Sequence, residues 1–172
     1  MKIVLIVIGA LIAVVAVCVL IGAMLPRDHA ATRRAVYRAP REAVYRVVRD
    51  FAAAPQWRTG VKGIELLPAE SGHERYRETS SQGVVTYRVI EDRPAERLVV
   101  EIADVDLPWG GRWTYVFTPE GTGTALRITE DGFVKNPLFR FLARYVFGHT
   151  TTMEQYLRDI GRKFGEDVQP QP

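Results

Sequence analysis

The sequence predicts an α+β domain in which a curved antiparallel sheet wraps around a long C-terminal helix, behind an N-terminal transmembrane helix. An apolar run opens the chain, segments with a two-residue period fill its middle, and a helical period extends from Asn136 to Phe164. The chain has 172 residues, and no repeat or linker follows the apolar run. We therefore expect one globular domain behind the first helix.

The apolar run from Ile3 to Leu25 contains no charged residue. As a helix it would span about 34 Å, which is enough to cross the hydrocarbon core of a bilayer. A cleaved signal peptide is the alternative interpretation, but Lys2 is a thin basic region and the run is long for one. Arginines are frequent just after the run, and this excess favours a cytoplasmic domain. The predicted divisions are a transmembrane anchor at 1–26, a globular domain at 27–165 and a flexible tail at 166–172.

Seven segments have the period of a β-strand, in which alternate side chains face the same side of a sheet. The connections after residue 61 carry turn residues and are too short for a crossover helix, so the strands should form an antiparallel meander. Before them, Pro40 opens a short helix with an apolar stripe from Val44 to Phe51, and Pro55 interrupts a second one. The predicted strands are 31–39, 61–67, 74–80, 84–91, 98–104, 112–118 and 125–130.

The longest soluble segment with a helical period lies near the C-terminus. Asn136 can cap its first turn, and Pro137 fits the first helical position because a proline there loses no hydrogen bond. Apolar residues recur at three- and four-residue intervals from Leu138 to Phe164, so we expect one unbroken helix of roughly 40 Å. An apolar stripe of that length needs a large partner, and the predicted sheet can supply it.

Composition argues against several classes of protein. The net charge of +3 is mild, so we expect no nucleic-acid partner. Cys18 is the single cysteine, which excludes an internal disulfide and a cysteine-rich zinc site. His29 and His73 fall in a linker and a turn, without further ligands at metal-binding spacing, so no metal site is expected. No glycine-rich loop has the strand-to-helix setting of a phosphate site, and we expect no cofactor.

The order of elements, with one strand, two short helices, six strands and a long helix, resembles the helix-grip fold of the SRPBCC superfamily. This superfamily includes START lipid-transfer domains, coenzyme-Q-binding proteins and polyketide cyclase/dehydrases. The resemblance covers residues 31–164 and leaves the N-terminal anchor outside. It rests on Arg38-Ala39-Pro40, on residues 51–57 (FAAAPQW), on residues 91–94 (EDRP) followed by Arg97-Leu98, and on Gly123-Thr124.

The resemblance implies an apolar cavity between sheet and helix that binds a hydrophobic small molecule, such as a lipid, a quinone or a polyketide-like compound. Side chains on the more apolar face of each strand would line this cavity. The other interpretation is that these side chains only fill the core. The expected ligand-binding residues are Trp57, Tyr76, Tyr87, Trp113, Tyr115, Glu130, Tyr145 and His149.

Two of these residues are candidates for acid–base catalysis. Glu130 shares the inward face of the last predicted strand, and His149 follows the apolar stripe of the long helix. With Tyr76 or Tyr115 as a partner, either would suit an enzyme of the cyclase/dehydrase type. Because spacing fixes no pair of catalytic groups, a non-catalytic binding module is the favoured function. A protein-interaction domain with a filled cavity is a third possibility.

The start of the long helix is apolar on nearly every side, although one stripe would suffice to pack it on a sheet. We therefore expect Trp109, Phe139 and Phe147 to form a membrane-facing portal to the cavity. Arg140 and Arg144 would then reach lipid headgroups, which makes the bilayer an expected partner. A wider contact with the core is the alternative interpretation.

Overall fold

The computed structural model describes residues 2–81, 83–148 and 150–172. The order of elements agrees with the sequence prediction up to the C-terminal helical region. The elements are α1 (Lys2–Met24), β1 (Asp28–Tyr37), α2 (Arg41–Arg49), a 3₁₀ turn (Phe51–Gln56), β2 (Val61–Glu70), β3 (His73–Ser80), β4 (Gly83–Arg93), β5 (Arg97–Ile102), β6 (Trp109–Glu120), β7 (Gly123–Val134), α3 (Pro137–Leu142), a π-helical turn (Ala143–Phe147) and α4 (Thr151–Lys163).

The seven strands form one antiparallel sheet in the order β1-β7-β6-β5-β4-β3-β2, which confirms the predicted curved meander. The first strand returns to pair with the last along its whole length, from Asp28 opposite Phe133 to Tyr37 opposite Thr124. Register shifts in β2 and β4 mark bulges, which bend a sheet. β1 begins at Asp28 rather than at the predicted Ala31, and this difference brings His29 into the sheet.

Helix α4 packs against the inner face of the sheet through an apolar stripe. Met153, Leu157 and Ile160 are fully buried in one cluster with side chains from β1, β5, β6 and β7. Tyr37 donates a hydrogen bond of 2.9 Å from its hydroxyl to the carbonyl oxygen of Leu157. Because that carbonyl lies inside α4, the bond fixes the helix on β1.

The prediction of one unbroken helix from 136 to 164 is wrong. The start is as predicted, since the Asn136 side chain accepts hydrogen bonds from the backbone N–H groups of Leu138 and Phe139, at 2.9 and 3.3 Å. The helix then widens into the π-helical turn and ends at Gly148, whose φ of +74° no right-handed helix contains. Three threonines in a row, 150–152, follow the glycine, and β-branched residues are weak helix formers.

The C-terminal tail at 166–172, predicted to be flexible, is docked on the domain. Val168 is buried beside Gly161, where a Cβ atom would approach the valine side chain to 2.7 Å. Gln171 exchanges two backbone hydrogen bonds with Arg34 on the free edge of β1, at 2.9 and 2.8 Å. The tail thus covers part of a sheet edge, a role that its polar composition does not reveal.

Helix α1 exposes nearly its whole apolar surface and contacts the domain only near its end. Among the residues that the structure describes, it is the one helix long and apolar enough to cross a membrane, although a signal sequence also has these properties. Gly22 is its one buried residue, and a Cβ atom there would overlap the carbonyl oxygen of Pro137. Arg140 donates a hydrogen bond of 2.7 Å to the carbonyl oxygen of Leu25.

Candidate ligand-binding cavity

A cavity of about 310 Å³ lies between the inner face of the sheet and the start of α4. Its wall includes side chains from β1, β3, β4, β5, β6 and β7, together with Gly148 at the helix break and Thr152 on α4. The helix break therefore borders the cavity directly. The lining residues are His29, Arg58, Tyr76, Glu78, Ser80, Val85, Tyr87, Val100, Ile102, Trp109, Gly110, Gly111, Arg112, Trp113, Tyr115, Glu130, Phe133, Val134, Gly148 and Thr152.

One end of the cavity, which we call the mouth, is lined by Trp109, Gly110, Phe133 and Val134. The start of β6 and the end of β7 meet there, with Trp109 opposite Val134. A Cβ atom in place of Gly110 would lie 2.7 Å from the Phe133 ring, so a larger residue there would require the ring to move. The mouth is thus largely apolar, with one indole and one phenyl ring at its rim.

The opposite part of the cavity is walled by tyrosines that contact one another. The rings of Tyr76 and Tyr87 are stacked with centroids 5.2 Å apart, and Tyr115 lies 5.8 Å from Tyr156 of α4. Burial raises the pKa of Tyr76 and of Tyr115 well above the ordinary value, and it raises the pKa of Tyr156 to about 12. These hydroxyls are therefore neutral near pH 7, where they can donate or accept hydrogen bonds but cannot act as phenolate bases.

A buried ion pair lies among these tyrosines. Arg58 donates to the carboxylate of Glu78 at 2.5 Å, and its guanidinium lies 5.0 Å from the centroid of the Tyr156 ring. Burial lowers the pKa of Arg58, but the charge of Glu78 more than offsets this and leaves it above its ordinary value. Neither residue of this pair was among the site residues predicted from the sequence. The alternation of β3 contained the signal, because Glu78 is two residues from Tyr76 and faces the same side.

A second polar group lies in the wall nearer the mouth. Glu130 accepts a hydrogen bond of 2.7 Å from the indole nitrogen of Trp113, and its other oxygen lies 3.0 Å from Nε2 of His29. The prediction that His29 lies in a linker is wrong, because the residue belongs to β1 opposite Gly132. Gly132 makes the contact possible, since a Cβ atom there would lie 2.7 Å from the imidazole ring.

The predicted site residues fall into three groups. The cavity wall contains Tyr76, Tyr87, Trp109, Trp113, Tyr115 and Glu130. Trp57, Tyr145 and Phe139 lie elsewhere. Trp57 packs edge-on against Tyr156 at 5.4 Å, Tyr145 is 60% exposed beside Phe141, and Phe139 is half exposed on α3. His149 and the side chain of Phe147 lie outside the residues that the structure describes.

Among residues 2–81, 83–148 and 150–172, no group of three or more His, Cys, Asp or Glu side chains has a geometry that could hold a metal ion. The described cavity wall offers hydrogen bonding by tyrosines, one ion pair and one histidine–glutamate contact.

A curved antiparallel sheet closed over a C-terminal helix, with an aromatic-walled cavity between them, defines the helix-grip class of fold. The family model described as "Polyketide cyclase / dehydrase and lipid transport" matches residues 28–163. The chain belongs to this family, within the START/SRPBCC superfamily. No curated protein sequence matches the chain.

Solved structures share the fold at low sequence identity. A START superfamily protein from Mycobacterium smegmatis superposes with a TM-score of 0.63 at 22% identity, covering 78% of this chain and 96% of its own. The Zhui aromatase/cyclase from Streptomyces sp. R1128 gives a TM-score of 0.65 at 13% identity, with coverages of 79% and 93%. Norcoclaurine synthase from Thalictrum flavum gives 0.61 at 12% identity, with coverages of 81% and 87%.

Proposed function

We propose that the protein is a membrane-anchored binding module that takes a hydrophobic small molecule, such as a lipid, a quinone or a polyketide-like compound, into its cavity. One observation carries the proposal: the aromatic-walled cavity of about 310 Å³ extends to Trp109 and Val134, at the end of the sheet where β7 leads into α3, and α3 contacts α1. Cavities that bind small molecules begin at about 300 Å³ and are mostly apolar with a few polar groups.

The position of the mouth supports entry from the bilayer. β1 starts directly after α1, and the end of β7 leads into α3, which contacts α1. Trp109 at the mouth and the half-exposed Phe139 on α3 are then the described members of the predicted portal. A hydrophobe leaving the bilayer here would meet apolar side chains and would not cross water.

The volume limits what the cavity can enclose. It corresponds to about ten water molecules at liquid volume, so it fits a ring system or one short chain rather than a whole two-chain lipid. A longer tail would extend through the mouth towards the bilayer. The tyrosine hydroxyls and the Arg58–Glu78 pair at the other end would bind polar atoms of the ring.

The contact between α1 and α3 supports a retained anchor over a cleaved signal. Removal of α1 would uncover the Pro137 carbonyl and take the hydrogen-bond acceptor of Arg140, which is buried in the full chain. We place the domain on the cytoplasmic side, because arginines are in excess just after the span.

Mass spectrometry of organic extracts tests the binding function. The full chain is purified in mild detergent as the parent and as Thr152→Trp, which places an indole at the cavity wall. Thr151→Trp is the matched control, because the neighbouring Thr151 does not line the cavity. We expect the extracts of the parent and of Thr151→Trp to contain nearly equal amounts of a hydrophobic compound. The extract of Thr152→Trp should contain several-fold less. Equal amounts in all three extracts would show that the compound is not held in the cavity.

A second candidate function is an acid–base enzyme of the cyclase/dehydrase type, favoured by the contact between His29 and Glu130 in the cavity wall. A carboxylate that holds an imidazole can set its orientation for proton transfer, while neutral tyrosines polarise a carbonyl. A linear poly-β-ketone incubated with the protein would then yield a cyclised product, and Glu130→Gln would lower turnover at unchanged binding. Binding without product in the parent protein would exclude this candidate for that substrate class.

A further inference from the structure

The junction between α1 and α3 has the features of a fixed helix contact. Gly22 lets the backbone of α3 approach α1 to a distance that any side chain would prevent. The last carbonyls of a helix lack partners within it and carry a partial negative charge. The Arg140 guanidinium supplies a charged donor to one of them, at Leu25, and the arginine is itself buried.

A loop on the other side of the mouth is tied to the start of α3. The backbone N–H of Lys135 donates to the carbonyl of Pro108 at 2.7 Å, and its ammonium group donates to the carbonyl of Val105 at 2.9 Å. These bonds hold the loop between β5 and β6 beside α3. Val105, at its tip, is 81% exposed, and Tyr145 and Val146 of the π-helical turn are also exposed.

Geometry places the α1–α3 contact near the boundary between the hydrocarbon core and the interface if α1 spans the bilayer. Gly22 lies three residues before Leu25, so its contact with Pro137 is about 4.5 Å inside the end of the apolar run, which itself exceeds the core thickness by about 2 Å at each end. The interfacial layer on each side of the hydrocarbon core is about 5–8 Å thick. Apolar side chains beside this contact point would therefore lie in the interface, where such side chains are stable.

We propose that the α1–α3 junction is a rigid mount that holds the cavity mouth on the bilayer, with the Val105 loop and the π-helical turn inserted in the interface. The partner of this apolar surface is the same bilayer that α1 crosses, and the proposal rests on the assignment of α1 as a membrane anchor. A flexible tether would not require the close approach at Gly22 or the buried donor at Arg140.

Depth-dependent quenching of a fluorophore tests the mount. The full chain carrying Cys18→Ala is reconstituted in phosphatidylcholine vesicles with a spin-labelled lipid and labelled at Val105→Cys. Thr122→Cys is the reference site, because it follows β6 at the end opposite Trp109, about 35 Å away along the strand. Gly22→Leu breaks the junction, and Gly9→Leu is the matched control because a Cβ atom at Gly9 meets nothing within 4 Å.

We expect quenching at position 105 to exceed that at position 122 several-fold in the parent and in Gly9→Leu, and to fall to the level of position 122 in Gly22→Leu. An unquenched label at 105 in the parent, or quenching unchanged by Gly22→Leu, would overturn the proposal. Quenching that rises with protein-to-lipid ratio would assign the surface to a second copy of the chain, which also overturns it.

Two further measurements keep the outcome interpretable. Arg140→Gln removes the donor to Leu25 without a steric clash, and a partial loss of quenching at an unchanged melting temperature would support the mount independently of folding. If the label at 105 is not quenched while a hydrophobe still co-purifies, the mount is wrong and the binding function stands. If the label is quenched but no hydrophobe co-purifies, the mount stands and the binding function fails.

Discussion

The two halves of the C-terminal helical region have the same sequence period and opposite surroundings. In α4, Met153, Leu157 and Ile160 are completely buried against the sheet. In α3 and the π-helical turn, Phe139 and Tyr145 are half exposed or more, and α3 packs against α1. An apolar stripe thus indicates that a helix needs a partner but not which one, and here one half packs in the domain core and the other contacts α1.

The helix break at Gly148 separates these two environments. On its C-terminal side, Arg33 of β1 binds the Glu154 carboxylate at 2.8 Å and the Thr150 hydroxyl at 3.2 Å, which fixes the start of α4 on the sheet. On its N-terminal side, Arg140 binds the end of α1. The break therefore divides the part of the helical region that packs on the sheet from the part that contacts α1.

The largest effect on stability is expected at high pH and concerns three buried tyrosines, one of which lies in α4. Tyr76, Tyr115 and Tyr156 have a pKa raised by burial, whereas in the unfolded chain their pKa is near 10. Their contribution to stability is complete below pH 10 and is lost as the pH rises above it, by about 1.4 kcal/mol per pH unit for each tyrosine. Tyrosinate absorbance should rise together with loss of circular dichroism. Smooth ionisation near pH 10 in a folded domain would contradict this burial.

A pair of core and surface substitutions compares the two halves directly. Leu157→Ala should lower the free energy of unfolding by about 2–5 kcal/mol, because it leaves a cavity in the packed core. Phe139→Ala, on the anchor side, should change it by less than about 1 kcal/mol. Urea denaturation of both variants measures the difference. Similar losses in the two variants would mean that α3 is part of the domain core.

The ion pair in the cavity should depend on both partners. Glu78→Gln leaves Arg58 charged among tyrosines, and we expect a loss of about 3 kcal/mol in the free energy of unfolding. The double variant Arg58→Met, Glu78→Leu should recover most of that loss, because it removes both charges. A double-mutant cycle in urea gives the coupling energy, and additive losses would show that the two side chains do not act as a pair.

The smallest effect on the free energy of unfolding is expected at the start of α4. The hydrogen bond from Arg33 lowers the pKa of the Glu154 carboxyl, so this contribution to stability is present at neutral pH and is lost as the pH falls through the lowered pKa. Glu154→Gln should cost less than about 1 kcal/mol at pH 7 and should increase hydrogen exchange in the first turn of α4. Exchange that is unchanged there would mean that the ion pair does not hold the helix start.

Most of the sheet could be predicted from the sequence because alternation and turn residues are local signals. Local signals also placed Tyr76, Tyr115 and Trp113 on the cavity side. The features that escaped prediction depend on distant residues. The His29 ring packs over Gly132 on β7, and Val168 of the tail packs over Gly161, so in both places a distant glycine leaves the room. Predicting the helix break would have required recognising that Gly148 interrupts an apolar stripe, which continues on both sides of it.

Quenching of Trp113 tests most directly whether a hydrophobe enters the cavity from the bilayer. Trp57→Phe and Trp109→Phe leave Trp113 as the only tryptophan of the full chain, which is then reconstituted in vesicles. A brominated single-chain hydrophobe should quench Trp113 saturably, and a brominated two-chain phospholipid should not. Thr152→Phe, which narrows the cavity without adding a tryptophan, should abolish the quenching by the single-chain compound. Equal quenching by both compounds, or quenching that Thr152→Phe leaves unchanged, would contradict uptake into the cavity.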